Sequence, residues 1–207
     1  GLGAVMGAKK LKAIAVNGNV RPAVADKAGI ATIAGWLSEN YKASLGTMTE
    51  MGTARGVPLL NAAGALPTHN FRGGSFEEYE SLSGRYMTDN ILVDRKSCYA
   101  CPVHCKRVVE VVGEGLSVSR RYGGPEYETI MSFGSNCENE NLESILMANY
   151  LCNDFGLDTI TCGNTFALLM DLYEREIIRA TDLDGFSMHW GNHEAIISLI
   201  PKIAKRG

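Results

Sequence analysis

The sequence has no long apolar run and no strong excess of charge of either sign. Its 207 residues include 20 Lys and Arg against 23 Asp and Glu, a net charge of -3 at pH 7. No basic run is present, which argues against a nucleic-acid-binding surface. No apolar stretch reaches the roughly 20 residues that a membrane-spanning helix needs, so the sequence predicts no membrane partner.

Terminal signals are also missing. The first residues, Gly1 to Gly7, lack the basic leading region and the polar cleavage zone of a signal peptide. The sequence does not begin with methionine and stops at Lys205–Gly207 inside a helical pattern, so we expect a piece of a longer protein. Six cysteines without a secretory signal favour a reducing compartment, which predicts a cytoplasmic location.

The patterns that are present predict a mainly α fold. With 45% hydrophobic and 21% charged residues, the composition is that of a globular domain with a core. Apolar periodicity and end signals predict helices over residues 28–45, 57–64, 141–151, 161–176 and 193–205. Short strands are predicted at 11–16, after a glycine-rich turn, and at 107–112.

The most informative segment is Cys98-Tyr-Ala-Cys101-Pro-Val-His-Cys105, with the pattern C-x-x-C-x-x-x-C. Core packing does not need three thiols this close together, since a buried cysteine acts as a small hydrophobic residue. Three thiolates on one short loop can bind a cubic iron–sulfur cluster, whose fourth cysteine must come from elsewhere. Lys106 and Arg107 follow directly, and cations beside a cluster favour its reduced form.

Other uses of this loop stay open at the level of sequence. The three cysteines with His104 could bind zinc, although a lone zinc knuckle without a second ligand pair is unusual. Enzymes that cleave S-adenosylmethionine also use three close cysteines, but with the longer gap first. A disulfide would need an oxidising compartment.

Two further segments carry candidate polar residues. Glu126 and Glu128 follow Pro125 at a predicted helix start, where carboxylates complement the helix dipole; alternatively, Glu128 faces a buried site as a proton acceptor. In the turn Asn153–Asp158, the side chains could accept hydrogen bonds from a polar heterocycle. Asp158 could equally cap the next helix.

These segments together resemble one family, the aldehyde ferredoxin oxidoreductases, which are tungsten enzymes. Residues 1–16 resemble the end of their cofactor-binding domain, and the cysteine loop resembles their cluster segment. Residues 124–129 and 153–159 also resemble family segments, in the same order along the chain. The resemblance implies that residues 1–19 end an N-terminal β domain and that residues 20–207 form the first helical domain, which carries the iron–sulfur loop.

The resemblance also implies individual roles. Cys98, Cys101 and Cys105 would bind a 4Fe-4S cluster whose fourth ligand lies in a second helical domain outside this chain. Glu128 matches a glutamate near the tungsten that assists proton movement. The residues implied to contact the two pyranopterins are Gly1, Leu2, Gly3, Asn153, Leu157 and Asp158. The family pattern is D-x-x-G-L-D, so Asn153 lacks the charge of the family aspartate but can still donate and accept hydrogen bonds.

The implied function is oxidation of a small aldehyde to a carboxylic acid, with electrons leaving through the cluster to ferredoxin. The pterin sulfurs hold the metal, so the sequence does not distinguish tungsten from molybdenum, and it leaves homo-oligomerisation open. One alternative is the same scaffold acting on another carbonyl compound or an aromatic thioester. A second alternative is a non-catalytic helical interaction module that is stabilised by a bound iron–sulfur cluster or by zinc.

Overall fold

Helices dominate the computed structural model, which describes residues 2–113 and 116–206. Within that part, a single two-stranded sheet lies among eight α-helices and several short 3-10 turns. The helices are α1 (Leu2–Ala8), α2 (Lys27–Met51), α3 (Val57–Ala62), α4 (Gly84–Asn90), α5 (Tyr127–Phe133), α6 (Leu142–Phe155), α7 (Thr159–Glu174) and α8 (His193–Lys205). The prediction of a mainly α fold is confirmed.

The core lies between α5, α6, α7 and α8. Its largest fully buried side chains include Ile130, Phe133, Ile145, Phe166 and Ile200. Burying a side chain of this size is worth about 1.5–3 kcal/mol, so packing between these helices contributes strongly to stability. The predicted helix 193–205 is confirmed, because its apolar residues recur on one face that packs against α6.

The sheet is one antiparallel hairpin. Strand β1 (Leu92–Lys96) pairs with β2 (Lys106–Val109), with Arg95 opposite Arg107 and Lys96 opposite Lys106. The strand predicted at 107–112 is therefore confirmed in part. Beyond Val109 the pairing is reduced to an isolated bridge between Val111 and Val118.

The N-terminal region differs from its prediction. Residues 2–8 form a helix rather than a glycine-rich turn, and the strand expected at 11–16 is wrong, since this segment is irregular and exposed. A strand needs a hydrogen-bonded neighbour, and no described segment pairs with residues 11–16. Ile14 is 70% exposed and Val16 is 88% exposed. The domain division at residues 19 and 20 stays a prediction.

Helix α2 is longer than the predicted segment, and none of its residues is buried. Asp26 caps its start by accepting a hydrogen bond from the Gly29 N–H at 2.9 Å. Its contacts with the rest of the chain are concentrated at its C-terminal end, near α4. Among the described residues, no helix combines the length and apolarity that crossing a membrane requires.

Candidate functional site

The six cysteines fall into two structural groups. Cys137, Cys152 and Cys162 are buried in the helical core, whereas the three predicted ligands lie in the loop that joins β1 to β2. Burial raises the pKa of the Cys137 thiol, which makes it a poor metal ligand. The loop cysteines are free thiols; Cys98 is exposed, and Cys101 and Cys105 are half-buried.

The cysteine loop, residues 97–105, contains tight backbone turns. The Cys101 N–H donates to the Cys98 carbonyl oxygen at 3.1 Å. Ala100 and His104 have φ values of +57° and +52°, in the left-handed region that non-glycine residues rarely adopt. Each of them directly precedes a cysteine. Such a conformation persists only where the surrounding structure maintains it.

The donor set of this loop fits an iron–sulfur cluster, because three thiols share one short segment. The structure does not bring them into a finished metal site: in residues 2–113 and 116–206, no three His, Cys, Asp or Glu side chains are arranged to hold a metal ion. The ligand roles of Cys98, Cys101 and Cys105 therefore stay predictions, as does the zinc alternative with the exposed His104.

Glu128 lies in the first turn of α5, as predicted, and its side chain is exposed. The start of this helix is fixed by Thr53, whose hydroxyl donates to Glu126 Oε2 at 2.6 Å and accepts from the Tyr127 N–H at 2.8 Å. Sequence reasoning missed Thr53, since the contact joins residues more than 70 positions apart and no local pattern marks it.

Glu128 also lines a cavity of about 400 Å³. The cavity lies between α5, the end of α2 and α3, and its other lining side chains include Met48, Arg55, Leu59 and Leu60. Mostly apolar walls with a few charged groups are typical of small-molecule sites. A carboxylate in such a wall can accept a proton from a bound molecule.

The turn between α6 and α7 has the predicted local structure. Gly156 ends α6 with φ +73°, and the Leu157 N–H donates to the Cys152 carbonyl oxygen at 2.8 Å. Asp158 caps α7, since its Oδ2 accepts from the Thr161 N–H at 2.9 Å and from the Thr161 hydroxyl. These hydrogen bonds from Thr161 lower the pKa of Asp158.

Both ends of the predicted pterin-binding motif keep some hydrogen-bonding capacity. Asp158 Oδ1 accepts no hydrogen bond from the described residues, so it is available to a donor on a ligand. The Asn153 side-chain amide donates to the Asn149 carbonyl oxygen at 2.8 Å, which fixes its orientation. Leu157 is half-buried against the core and anchors the turn between them.

The structure brings the Glu128 and Asp158 segments together. The hydroxyls of Thr129 and Thr159, the residues that follow them, lie 2.8 Å apart. One turn further on, α5 and α7 approach so closely that a Cβ on Gly163 would lie 2.7 Å from Ser132 Cβ. The helices therefore run parallel, and their first turns lie at the same edge of the core.

The hairpin of β1 and β2, which carries the cysteine loop and is called the cysteine hairpin below, lies next to this edge. A Cβ on Gly124 would be 3.0 Å from Arg107 Cβ and 3.1 Å from a methyl group of Val109, so β2 packs on the segment that leads to α5. Of the remaining predicted pterin contacts, Gly1 lies outside the described residues, Leu2 begins α1 and Gly3 is exposed with open space around it. Their roles are untested.

A larger cavity, about 830 Å³, lies elsewhere, at the C-terminal end of α7. Its lining includes Glu174, His189 and Trp190, and His69 stacks on Trp190 with ring centroids 3.9 Å apart. Because α7 is 16 residues long, this cavity is on the order of 20 Å from the edge with Glu128 and Asp158. None of the predicted site residues lines it.

Comparison with known proteins shows which family the chain belongs to. The family described as "Aldehyde ferredoxin oxidoreductase, domains 2 & 3" matches residues 32–207. The tungsten-containing aldehyde ferredoxin oxidoreductases of Thermococcus kodakarensis and Pyrococcus furiosus are 41% and 40% identical over the whole chain. A P. furiosus protein named "Aliphatic sulfonate oxidoreductase, WOR-like subunit" is 30% identical over the same span. The chain covers only 33–34% of the length of these relatives.

Proposed function

Because the chain belongs to the aldehyde ferredoxin oxidoreductase family, we propose that it works within an enzyme that oxidises aldehydes to carboxylic acids. The observation that carries this proposal is the convergence of Glu128, the Asn153–Asp158 turn and the cysteine hairpin at one edge of the helical core. Since the chain spans about a third of its relatives, the substrate and the electron acceptor are part of the proposal.

Two cofactors would supply the electron chemistry: tungsten (or molybdenum) held by two pyranopterins for the two-electron oxidation, and a 4Fe-4S cluster for single-electron transfer. Asp158 Oδ1 and the oriented amide of Asn153 would bind polar edges of a pterin. Leu157 would keep the turn against the core. Cys98, Cys101 and Cys105 would hold one side of the cluster, with the fourth thiolate from a second helical domain.

Glu128 would act as the proton acceptor. An aldehyde would bind as its hydrate in the cavity beside Leu59 and Leu60, with a hydroxyl facing the carboxylate. As the acid forms, two electrons would leave to the metal; the carboxylate would accept one of the two protons released, and solvent would accept the other. The apolar walls would contact the rest of the substrate. A ferredoxin would dock transiently near the cysteine loop, through the small interface that is usual for electron-transfer partners.

A second candidate is an oxidoreductase for a different substrate on the same scaffold. The relative named as an aliphatic sulfonate oxidoreductase favours it, since that protein is 30% identical to this chain over all of the chain's residues. Fold and cofactor do not determine the substrate. A screen that includes aldehydes, other carbonyl compounds and sulfonates separates the two candidates.

The test is anaerobic purification of the full-length protein, followed by metal analysis and assay of substrate-dependent viologen reduction. Glu128→Gln should lower kcat by about 100-fold or more, the usual contribution of a general base, while iron and tungsten stay bound. Glu143→Gln is the matched control, because Glu143 is also an exposed glutamate in the first turn of a helix. Normal turnover in Glu128→Gln would remove the proposed proton role, and zinc alone would favour a non-catalytic module.

A further inference from the structure

A buried arginine packs against the cysteine loop. Arg107, on β2, is only 3% exposed. Its guanidinium donates to four main-chain carbonyl oxygens: Glu50 at 2.8 Å, Thr49 at 2.9 Å, His104 at 2.8 Å and Cys105 at 3.0 Å. Two of these acceptors end α2 and two belong to the cysteine loop. One side chain therefore joins the loop to the helix.

Only arginine can make this connection. Its planar guanidinium carries five N–H donors in a fixed fork, whereas lysine offers a single point of charge. The last carbonyls of a helix lack partners within the helix and form the negative end of its dipole, so they suit a cation. Gly52, with φ +66°, leaves room for the contact because it has no Cβ; a Cβ there would lie 3.0 Å from Arg107 Cδ and 3.2 Å from the Cys105 carbonyl oxygen.

Within the described part of the chain, Arg107 has no direct ion-pair partner, although Glu126 is close enough to act on its charge electrostatically. Among the described residues, no Asp or Glu oxygen lies within the 4.0 Å of an ion pair with its guanidinium. A buried charge without a direct ion pair is costly, and an anionic group beside it would offset that cost.

We propose that Arg107 is the positioning residue of the cysteine loop and supplies the fixed counter-charge for the anionic group that the loop binds. The proposal rests on the proposed function in taking that group to be an iron–sulfur cluster, which thiolate ligands make negative. Arg107 holds the His104–Cys105 backbone against α2, and its charge stabilises the more negative, reduced form of the cluster.

The full-length protein allows the two roles to be separated. Arg107→Lys keeps the charge but loses the fork, and Arg107→Gln loses both. Hydrogen exchange of the loop amides, residues 98–101 and 103–106, should accelerate by about tenfold in each variant, the effect of losing one charge-assisted hydrogen bond. The midpoint potential of the cluster should fall in Arg107→Gln and stay near the wild-type value in Arg107→Lys.

Two variants serve as matched controls. Arg95 pairs with Arg107 across the hairpin and donates to the Thr49 and Glu50 carbonyls, but it makes no bond to the loop. Lys106 is charged, adjacent and exposed. Arg95→Gln and Lys106→Gln should change neither the loop exchange nor the potential as much as Arg107→Gln does.

Unchanged loop exchange and an unchanged potential in Arg107→Gln would overturn the proposal. If Arg107→Gln does not fold, Arg107→Lys still decides the positioning role through the loop exchange; wild-type exchange there refutes it. A wild-type protein without iron would refute the proposed function, while the exchange measurement would still test whether Arg107 fixes the loop. The two failures are therefore distinguishable.

Discussion

Helices α2 and α8 were both predicted from apolar residues at helical spacing, yet their surroundings are opposite. α8 buries Ala195, Ile196, Leu199 and Ile200 in the core. α2 buries none of its residues, and Ile33 and Trp36 are each more than 60% exposed. Periodicity thus predicts that a segment is a helix, but it does not predict whether the apolar face of that helix is buried.

The largest expected effect comes from emptying the core. Phe166→Ala should lower the free energy of unfolding by about 3–5 kcal/mol, because it removes a fully buried ring that packs on Phe133. Ile33→Ala in α2 is the control and should stay within about 0.5 kcal/mol of wild type. Urea unfolding measures both, and equal losses would contradict the contrast between the two regions.

Glycine-to-alanine changes sharpen the same comparison. Gly163→Ala should destabilise by about 1–3 kcal/mol, since its Cβ would overlap Ser132 and push α7 away from α5. Gly35→Ala in α2 has no atom within 4 Å of the added Cβ. It should instead stabilise the helix by up to about 1 kcal/mol through helix propensity. A stabilising Gly163→Ala would show that α5 and α7 do not touch there.

Removing the cap of α7 should have a smaller effect. Asp158→Ala should cost about 1 kcal/mol, the usual value of an N-cap. The hydrogen bonds from Thr161 lower the pKa of Asp158 in the folded state. Its contribution is therefore full above the unfolded-state value of about 3.9 and is lost as the pH falls through the lower folded value.

The pH dependence of unfolding checks this sign. The difference in stability between wild type and Asp158→Ala should shrink as the pH is lowered below about 4. Asp158→Asn, which can still cap the helix, should retain more stability than Asp158→Ala at neutral pH. A difference that grows on acidification would contradict the cap.

Local signals predicted much of the candidate site. The Gly156 stop, the Asp158 cap and the position of Glu128 in a first helical turn all follow from residues within one or two turns of each other, and the structure confirms them. The convergence of these segments could not be read locally, because it depends on the close approach of Gly163 to Ser132.

The two errors about strands share one physical cause. Residues 11–16 have the composition of a strand, but a strand forms only with a neighbour, and no described segment pairs with them. Strand β1, which was not predicted, exists because β2 lies opposite it.

The hydrogen bonds of Arg107 could not be predicted either. The sequence indicates only a positive charge after the cysteine loop, whereas its four carbonyl partners come from two segments that are far apart in the chain.

The central claim is that the cysteine loop binds an iron–sulfur cluster, and iron analysis with EPR spectroscopy of the full-length protein tests it most directly. Anaerobically purified wild type should contain about four iron atoms per chain and show a reduced-cluster signal. Cys101→Ser should lose both, whereas Cys137→Ala, which changes a buried core thiol, should keep both. Wild type without iron, or Cys101→Ser with unchanged iron and signal, would contradict the account.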